Sequence, residues 1–286
     1  MNFMQFWSLF KYRFRLAKDG LKGKTLRREH ATMLSRLNDN LGIGRASVDF
    51  FGKNSERVEK VASLLFDEES KDTYLKIIKY RQTFDFQDFP AYNKGGYFRN
   101  SFFTYDCKEV LIDCGAYNGD TIREFLSMAT GYEKIVAFEP DPESFKTLTE
   151  SERWGSIVFI NAGVYDKDCN LYFSGGNSGG LVSEKSNGIY GEISVKVCSI
   201  DGLHLPEKVT FIKMDIEGSE MNALIGAKKT ILRDRPKLAI CIYHSNEDMV
   251  RIAEYIHEIV PEYKLYVRHN GRYPFAWETV LYATML

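Results

Sequence analysis

The chain has 286 residues, of which 44% are hydrophobic and 14% aromatic, so it can bury a sizeable core. Its net charge of −1 argues against nucleic acid as a partner, because proteins that track phosphates usually carry a strong basic excess. Five cysteines without a Cys-x-x-Cys pair predict reduced thiols in a cytoplasmic protein, rather than a disulfide framework or a zinc site.

The first 36 residues differ in charge from the rest of the chain. They contain nine basic and two acidic residues, a local charge of +7, interleaved with large apolar side chains. No apolar stretch reaches the roughly 20 residues of a membrane span, and no secretory signal is evident. A basic aromatic helix of this kind either lies on an anionic membrane surface or docks on its own domain or a second subunit. The sequence leaves open peripheral contact with the inner face of the membrane and a homo-oligomer.

Residues 55–100 predict helices followed by a connector. Apolar positions at helical spacing between Ser55 and Tyr80, interrupted by Asp67-Glu68-Glu69, predict two helices with a turn. Residues 84–100 are aromatic and contain proline and paired glycines, which is typical of an irregular connector. Tyr97 and Phe98 in this connector either touch a ligand or pack in the core. We therefore predict a helical N-terminal region and connector over residues 1–100.

The most informative stretch runs from Val110 to Gly119. A short apolar run ends in Asp113 and a loop with glycines at Gly115 and Gly119, and residues 120–128 then read as a helix. This pattern predicts a buried strand, a tight turn and a helix whose N-terminal N–H groups face a ligand. A second apolar run ends at Glu139, about 20 residues beyond the loop, where an acid can bind both ribose hydroxyls of an adenosine.

The residues around this loop distinguish between a dinucleotide and S-adenosylmethionine as the cofactor. A dinucleotide loop would read Gly-x-Gly-x-x-Gly and receive a pyrophosphate, whereas here Asp113 and Asp120 flank the loop and would repel it. Two carboxylates suit a ligand with an ammonium and a sulfonium group, which indicates S-adenosylmethionine. Further apolar runs end at Asn161-Ala162 and at Asp215, and open α/β sheets bind ligands at such strand ends.

The remaining segments complete an α/β pattern. Strands at residues 170–173 and 191–197 bracket a Gly/Ser-rich loop at residues 174–180, which is either a mobile closure over a substrate or a hairpin tip. Residues 219–233 and 247–260 predict helices, and residues 238–242, 264–267 and 279–284 predict strands. Alternating strands and helices with a closing antiparallel strand predict a mostly parallel sheet.

Three motifs carry a family resemblance. Residues 113–120, residues 137–140 and the Lys-x-Asp-x-Glu-Gly-x-Glu stretch at residues 213–220 resemble the FkbM family of S-adenosylmethionine-dependent O-methyltransferases. The match covers roughly residues 108–283. It implies a class I methyltransferase-like (Rossmann-like) fold with a seven-stranded, mostly parallel sheet over residues 101–286. Segments at residues 243–244, 268–269 and 278–282 resemble a branch found in bacterial glycan gene clusters, which implies methylation of a sugar, sugar nucleotide or glycan hydroxyl in surface-polysaccharide biosynthesis.

The candidate site residues follow from the strand ends and the motifs. The expected cofactor contacts are Asp113, Gly115, Ala116, Tyr117, Gly119, Asp120, Glu139, Pro140, Asn161, Ala162 and Asp215. The expected substrate contacts are Tyr243, Arg268, His269 and Glu278.

Methylation of an alcohol needs in-line geometry and a group that takes the hydroxyl proton. Two arrangements of the strand-end residues stay open. In one, His244 is the general base and Asp215 or Glu217 orients it or the substrate. In the other, the same three side chains bind a divalent cation that acidifies the hydroxyl. Methylation of a polyketide or other small metabolite is an alternative function. An inactive cofactor-binding scaffold is another, although a scaffold has no need for Asp113, Glu139, Asp215 and His244 together.

Overall fold

The computed structural model describes residues 45–83, 85–150, 157–175, 180–183, 192–272 and 277–285. The basic segment at residues 1–36 lies outside these ranges, and so do residues 176–179 of the Gly/Ser-rich loop. None of the described helices is long and apolar enough to span a bilayer.

Three helices precede the sheet: α1 (Arg45–Lys53), α2 (Ser55–Leu64) and α3 (Glu68–Thr83). The last two confirm the pair of helices predicted from the sequence. The turn between them ends where the Asp67 carboxylate accepts a hydrogen bond from the Ser70 N–H at 2.8 Å, which caps α3. A bridge from Leu65 to Leu265 attaches this turn to the sheet.

The described residues form a seven-stranded sheet that confirms the predicted fold class. Its strands are β1 (Glu109–Cys114), β2 (Tyr132–Phe138), β3 (Ile157–Ile160), β8 (Phe211–Met214), β9 (Lys237–Cys241), β10 (Lys264–His269) and β11 (Thr279–Thr284). The order is β10-β11-β9-β8-β1-β2-β3, and β11 pairs antiparallel with both neighbours. The connecting helices are α4 (Asp120–Met128), α5 (Pro142–Glu150), α6 (Glu220–Ile225), α7 (Lys228–Asp234) and α8 (Asp248–Ile259).

Apolar side chains alternate between two cores because successive strand residues point to opposite faces. Ile112 and Ile212 pack in the core that also contains residues of α2, α3 and α8. Leu111 and Phe211 pack on the other face, with the connector aromatics and α4. The N-terminal helices thus share a core with the sheet, and a domain boundary at residue 100 stays a prediction.

A smaller sheet follows β3. It contains β4 (Gly163–Val164), β5 (Cys169–Gly175), β6 (Gly180–Ser183) and β7 (Ile193–Cys198) in the order β4-β7-β5-β6. The sequence predicts only the second and fourth of these strands. Because only two residues separate the end of β3 from the start of β4, this sheet stands beside the carboxyl ends of the parallel strands.

The single helix predicted over residues 219–233 is wrong, since the structure has α6 and α7 with a break at Gly226. The Gly226 carbonyl accepts a hydrogen bond from the Asp201 N–H at 2.8 Å, and a Cβ at Gly226 would lie 2.1 Å from the Tyr165 oxygen. The Asp201 carboxylate then accepts the N–H groups of Lys229 and Thr230 in the first turn of α7. Docking of a distant turn therefore stops one helix and caps the next.

Candidate active site

A pocket of about 320 Å³ opens at the carboxyl ends of the parallel strands. Its walls come from the loop after β1, the ends of β2 and β3, the small sheet, the turn after β8 and the segments around β9 and β11. The predicted site residues that line it are Gly115, Tyr117, Asp120, Glu139, Pro140, Ala162, Asp215, Glu217, Tyr243 and Glu278.

The loop after β1 packs directly on the turn after β8. Gly115 has φ +82°, and a Cβ there would lie 2.0 Å from the Asp215 carbonyl oxygen, so only glycine fits. Gly119 has φ 84° and is the N-cap residue of α4. These glycines bring the backbone of the loop and the N-terminus of α4 to the pocket, as the sequence predicts.

Four predicted cofactor contacts do not line the pocket: Asp113, Ala116, Gly119 and Asn161. Asp113 is fully buried within β1, where it pairs with Lys213 at 3.1 Å and accepts a hydrogen bond from Thr121. Ala116 is also fully buried, and Asn161 donates to the Glu139 carbonyl at 2.8 Å. The predicted contact of Asp113 with a cationic ligand is therefore corrected: its charge is balanced by Lys213, and its role is to hold the loop.

Glu139 lies at the end of β2 and is nearly buried. Its two carboxylate oxygens accept the N–H groups of Tyr117 and Asp141, each at 2.9 Å. Burial raises the pKa of Glu139 above its ordinary value, and the two N–H groups partly offset this. Because a carboxylate has about four acceptor positions, the side chain is held in place and can still accept two hydroxyl groups of a ligand.

Asp215 lies at the centre of a tyrosine-lined corner. Its oxygens accept the hydroxyl hydrogens of Tyr97 at 2.9 Å and Tyr243 at 3.0 Å. Burial raises the pKa of Asp215, but the charges of Lys213 and His244 and these hydroxyls lower it overall, so the carboxylate stays ionised. Tyr97 therefore lines the pocket, whereas Phe98 is fully buried in the core.

His244 is surrounded by carboxylates on both sides of its ring. Its Nε2 lies 3.5 Å from Asp215 and 3.4 Å from Glu217, and its Nδ1 lies 3.0 Å from Glu220. The structure thus brings together the three residues predicted for catalysis and adds Glu220. Glu220 is fully buried and also accepts the N–H groups of Ile216 and Gly218, which fixes the turn after β8.

This surrounding changes the chemistry expected of His244. Burial lowers the pKa of His244, but the charge of Glu220 and the contacts with Glu217 and Asp215 raise it well above its ordinary value near 6.5. The ring is therefore an imidazolium at neutral pH and has no lone pair to accept a proton. The general-base role predicted from the sequence does not fit this charge environment, which favours the protonated ring as the counter-charge of the neighbouring carboxylates.

The same cluster is where a divalent cation would bind. Ligand atoms of Asp215, Glu220 and His244 lie within 4.8 Å of one another. Both oxygens of Asp215 already accept tyrosine hydroxyls, and both oxygens of Glu220 accept backbone N–H groups. A cation would have to displace the proton of His244 and compete with these donors.

Backbone strain concentrates at the pocket. Among the described non-glycine residues, five have positive φ, and three of these line the pocket: Tyr117 at 45°, Glu217 at 56° and Glu278 at 65°. A left-handed conformation costs a side-chain-bearing residue about 1–2 kcal/mol. Strain of this kind collects at functional sites, where surrounding contacts hold it in place.

Two predicted substrate contacts lie elsewhere. Arg268 forms ion pairs with Asp67 at 2.7 Å and Glu69 at 3.1 Å at the start of α3. His269 is fully buried, with Nδ1 2.9 Å from the Thr279 hydroxyl. Both side chains join β10 to neighbouring elements and do not line the pocket, so their predicted contact with substrate is corrected. Tyr243 and Glu278 remain at the pocket.

Lys213 and Glu220 belong to the motif noted in the sequence, yet that motif alone assigns them no role. A lysine inside the apolar run of β8 is a usable signal, because a buried ammonium group needs a carboxylate partner. The neighbouring strand β1 offers Asp113 for this purpose. The side-chain partner of Glu220 is His244, which follows β9. Local sequence does not specify the path of the chain there, so it does not predict this contact.

Comparisons with known proteins identify the family of this chain. The family model of the methyltransferase FkbM domain matches residues 113–269, more than half of the chain. The crystal structure of methyltransferase FkbM from Methylobacillus flagellatus KT has 26% identity and a TM-score of 0.69, covering 82% of this chain and 60% of that one. The chain thus spans less than two thirds of that protein's length. Fibrillarin from Aeropyrum pernix with natively bound S-adenosyl-L-methionine has 12% identity and a TM-score of 0.35, covering 63% of this chain and 67% of that one. No curated protein matches the chain significantly.

Proposed function

Because this chain belongs to the FkbM methyltransferase family, we propose that it transfers a methyl group from S-adenosylmethionine to a hydroxyl of a sugar, sugar nucleotide or glycan. The observation that carries the proposal is a pocket with the fixed carboxylate of Glu139 on one side and an acidic corner around Asp215 on the other. The enzyme class also rests on the family, whereas the acceptor class rests on the resemblance of residues 243–282 to glycan-pathway members.

The pocket suits the two ends of this cofactor. Glu139 is placed to accept the ribose hydroxyls, since its backbone partners fix its orientation. Asp120, Asp215, Glu217 and Glu278 give the pocket a negative lining, with Lys213 as the cation among the pocket-lining residues described. This lining favours a ligand with ammonium and sulfonium groups and disfavours a diphosphate.

When bound, S-adenosylmethionine supplies an electrophilic methyl group on a sulfonium. The residues of the chain contribute position and charge. Tyr97 and Tyr243 hold the Asp215 carboxylate from two directions, and Lys213 and His244 keep it ionised. A carboxylate fixed in this way needs little reorganisation during the reaction, and such preorganised charge is usually the largest contribution to catalysis.

A cation-assisted reaction is the second candidate mechanism, because Asp215, Glu220 and His244 place their ligand atoms close together. A chelator distinguishes the two mechanisms. Activity that is lost with chelator and restored by a divalent metal would favour the cation. Activity that is indifferent to chelator is expected, since the carboxylates of this cluster already have hydrogen-bond donors or a cationic neighbour.

The proposed function is tested with tritiated S-adenosylmethionine and a panel of sugar nucleotides, glycolipid precursors and small polyphenolic or polyketide alcohols. We expect transfer of label to a sugar hydroxyl, and loss of transfer in Glu139→Ala with retention in the exposed Glu262→Gln control. Label transferred only to the non-sugar alcohols would keep the enzyme class and reject the acceptor class. Failure of the wild-type protein to bind the cofactor would reject both.

A further inference from the structure

We propose that Glu278 is the catalytic base that accepts the proton of the acceptor hydroxyl. This inference rests on the proposed function, because it concerns the same pocket, and it assigns to a carboxylate the role that the sequence predicts for His244.

The topology places Glu278 at the reacting end of the pocket. It directly precedes β11, whose pairing with β9 matches Val280 with Cys241. The Thr279 carbonyl accepts the Ile242 N–H at 3.0 Å, so Glu278 reaches the pocket beside Tyr243, where both side chains line the wall. Glu278 therefore enters the Asp215 corner from the side opposite β8.

The backbone holds Glu278 in a strained conformation. Its φ of 65° is in the left-handed region, and its carbonyl accepts the Asn270 N–H at 2.7 Å. The facing chain is also close, since a Cβ at Gly271 would lie 2.4 Å from the Trp277 oxygen. Glycine is favoured at this φ, yet the chain has a glutamate there and these contacts compensate for the strain. This indicates that the side chain of Glu278 is needed at this position.

Glu278 differs from the other carboxylates at the site in its hydrogen bonds. Glu139, Asp215 and Glu220 each accept two hydrogen bonds that stabilise the ionised form. No donor to the Glu278 carboxylate is found within the described ranges, and its partly buried side chain faces the pocket. Unlike those three carboxylates, Glu278 has neither oxygen committed to a donor among the described residues, so both oxygens can accept a substrate hydroxyl.

The charges around Glu278 match this role. Burial and the charge of Asp215 raise its pKa from 4.5 to about 7, where a base both is ionised and can hold a proton at neutral pH. The groups that face it are the anions Asp215 and Glu217, the cations Lys213 and His244, and the neutral Tyr97, Tyr243 and Cys241. The cations lower its pKa only in part.

The step balances without a further reactant. The acceptor oxygen forms a bond to the methyl carbon while the bond between that carbon and the sulfonium sulfur breaks. The bonding electron pair stays on sulfur, which leaves neutral S-adenosylhomocysteine. The hydroxyl proton moves to the Glu278 carboxylate and is later released to solvent.

The first test requires no acceptor. Isothermal titration calorimetry measures the affinities of S-adenosylmethionine and S-adenosylhomocysteine between pH 6 and pH 8.5 in wild type, Glu278→Gln and the exposed control Glu262→Gln. Both ligands carry the same ammonium and carboxylate, so their affinity ratio isolates the sulfonium. If Glu278 ionises near the reacting atoms, its negative charge attracts the sulfonium, and the affinity for S-adenosylmethionine relative to S-adenosylhomocysteine should rise about tenfold with pH in wild type and in the control. This affinity ratio should stay constant with pH in Glu278→Gln.

Two calorimetric results would overturn the role proposed for Glu278. An equal loss of both affinities in Glu278→Gln, with no change in their ratio, would make Glu278 an ammonium ligand and overturn the proposal. A wild-type ratio that does not depend on pH would also overturn it, even if the variant failed to fold. If wild type bound neither ligand, the proposed function would fail first.

Turnover gives the second readout once the acceptor panel yields a substrate. Removal of a general base should lower kcat by about 10²- to 10⁴-fold with a small change in acceptor KM, and should abolish the acidic limb of the pH profile. A large rise in KM with an unchanged kcat and pH profile would show that Glu278 only binds the acceptor, and would overturn the assignment.

Discussion

Replacement of Glu278 by glutamine should stabilise the protein at high pH relative to low pH. The native pKa of Glu278 is about 7, above the ordinary value of 4.5 expected in the unfolded chain. Between these values the unfolded state loses its proton while the native state keeps it, so unfolding becomes more favourable as pH rises. Glutamine has the same shape and no proton to lose, and therefore removes this pH-dependent cost.

The magnitude follows from the two pKa values. The carboxylate has a pKa of 4.5 in the unfolded chain and about 7 in the native protein. Because one pKa unit corresponds to about 1.36 kcal/mol, the free energy of unfolding of wild type should fall by about 2.5 kcal/mol from pH 5 to pH 8. Unfolding entropy is about 2.1 cal/mol/K per residue, and the chain has 286 residues. Dividing the change in the free energy of unfolding by this total entropy gives a change in Tm of about 4 °C.

Differential scanning calorimetry across this range checks the result. The Tm of Glu278→Gln minus that of wild type should rise by about 4 °C from pH 5 to pH 8. The difference for the exposed Glu262→Gln control should stay constant. A constant Tm difference for Glu278→Gln would show that this carboxylate titrates normally, and would refute the charge arrangement inferred for the pocket.

Three further predictions concern other parts of the chain. Lys213→Met should destabilise the fold by about 3–5 kcal/mol in urea, because the fully buried Asp113 loses its cationic partner, and adding Asp113→Asn should restore much of the loss; a cost below about 1 kcal/mol would contradict the pairing. His244 should be an imidazolium at pH 7 in ¹⁵N NMR spectra, because its pKa is raised mainly by Glu220, and Glu220→Gln should move its titration to lower pH; a neutral ring in wild type would contradict this. If residues 1–36 dock on the chain or a second copy, deleting them should lower Tm or dissociate an oligomer, with liposome sedimentation at background; salt-sensitive binding of the full-length chain to anionic vesicles, lost on deletion, would instead assign them to a membrane.

Local sequence predicts the elements well where apolar runs have clear ends. The helix Asp120–Met128 and the strands Ile157–Ile160 and Thr279–Thr284 have the predicted bounds, since glycine, proline and polar residues punctuate them. The break at Gly226 is not visible in the same way. It depends on Asp201, which is far away in sequence and donates its N–H to the Gly226 carbonyl.

In the candidate site too, local sequence predicts some features and tertiary contacts decide the others. Strand ends correctly predict that Asp215 and His244 approach each other, because parallel strands end at one edge of a sheet. The direction of a side chain within a strand is a tertiary property, so Asp113 points at Lys213 instead of the pocket. Protonation states also depend on the assembled charges, which is why the sequence favours His244 as base and the structure favours Glu278.

Cofactor binding in this pocket, with Glu139 on the ribose, is measured by calorimetry of the wild-type protein with S-adenosylmethionine, S-adenosylhomocysteine and NAD. We expect binding of the first two, little binding of NAD, and at least about a tenfold loss of cofactor affinity in Glu139→Ala, since hydrogen bonds to a charged group contribute about 1.5–3 kcal/mol. Binding of NAD without S-adenosylmethionine, or an affinity unchanged in Glu139→Ala, would contradict this expectation.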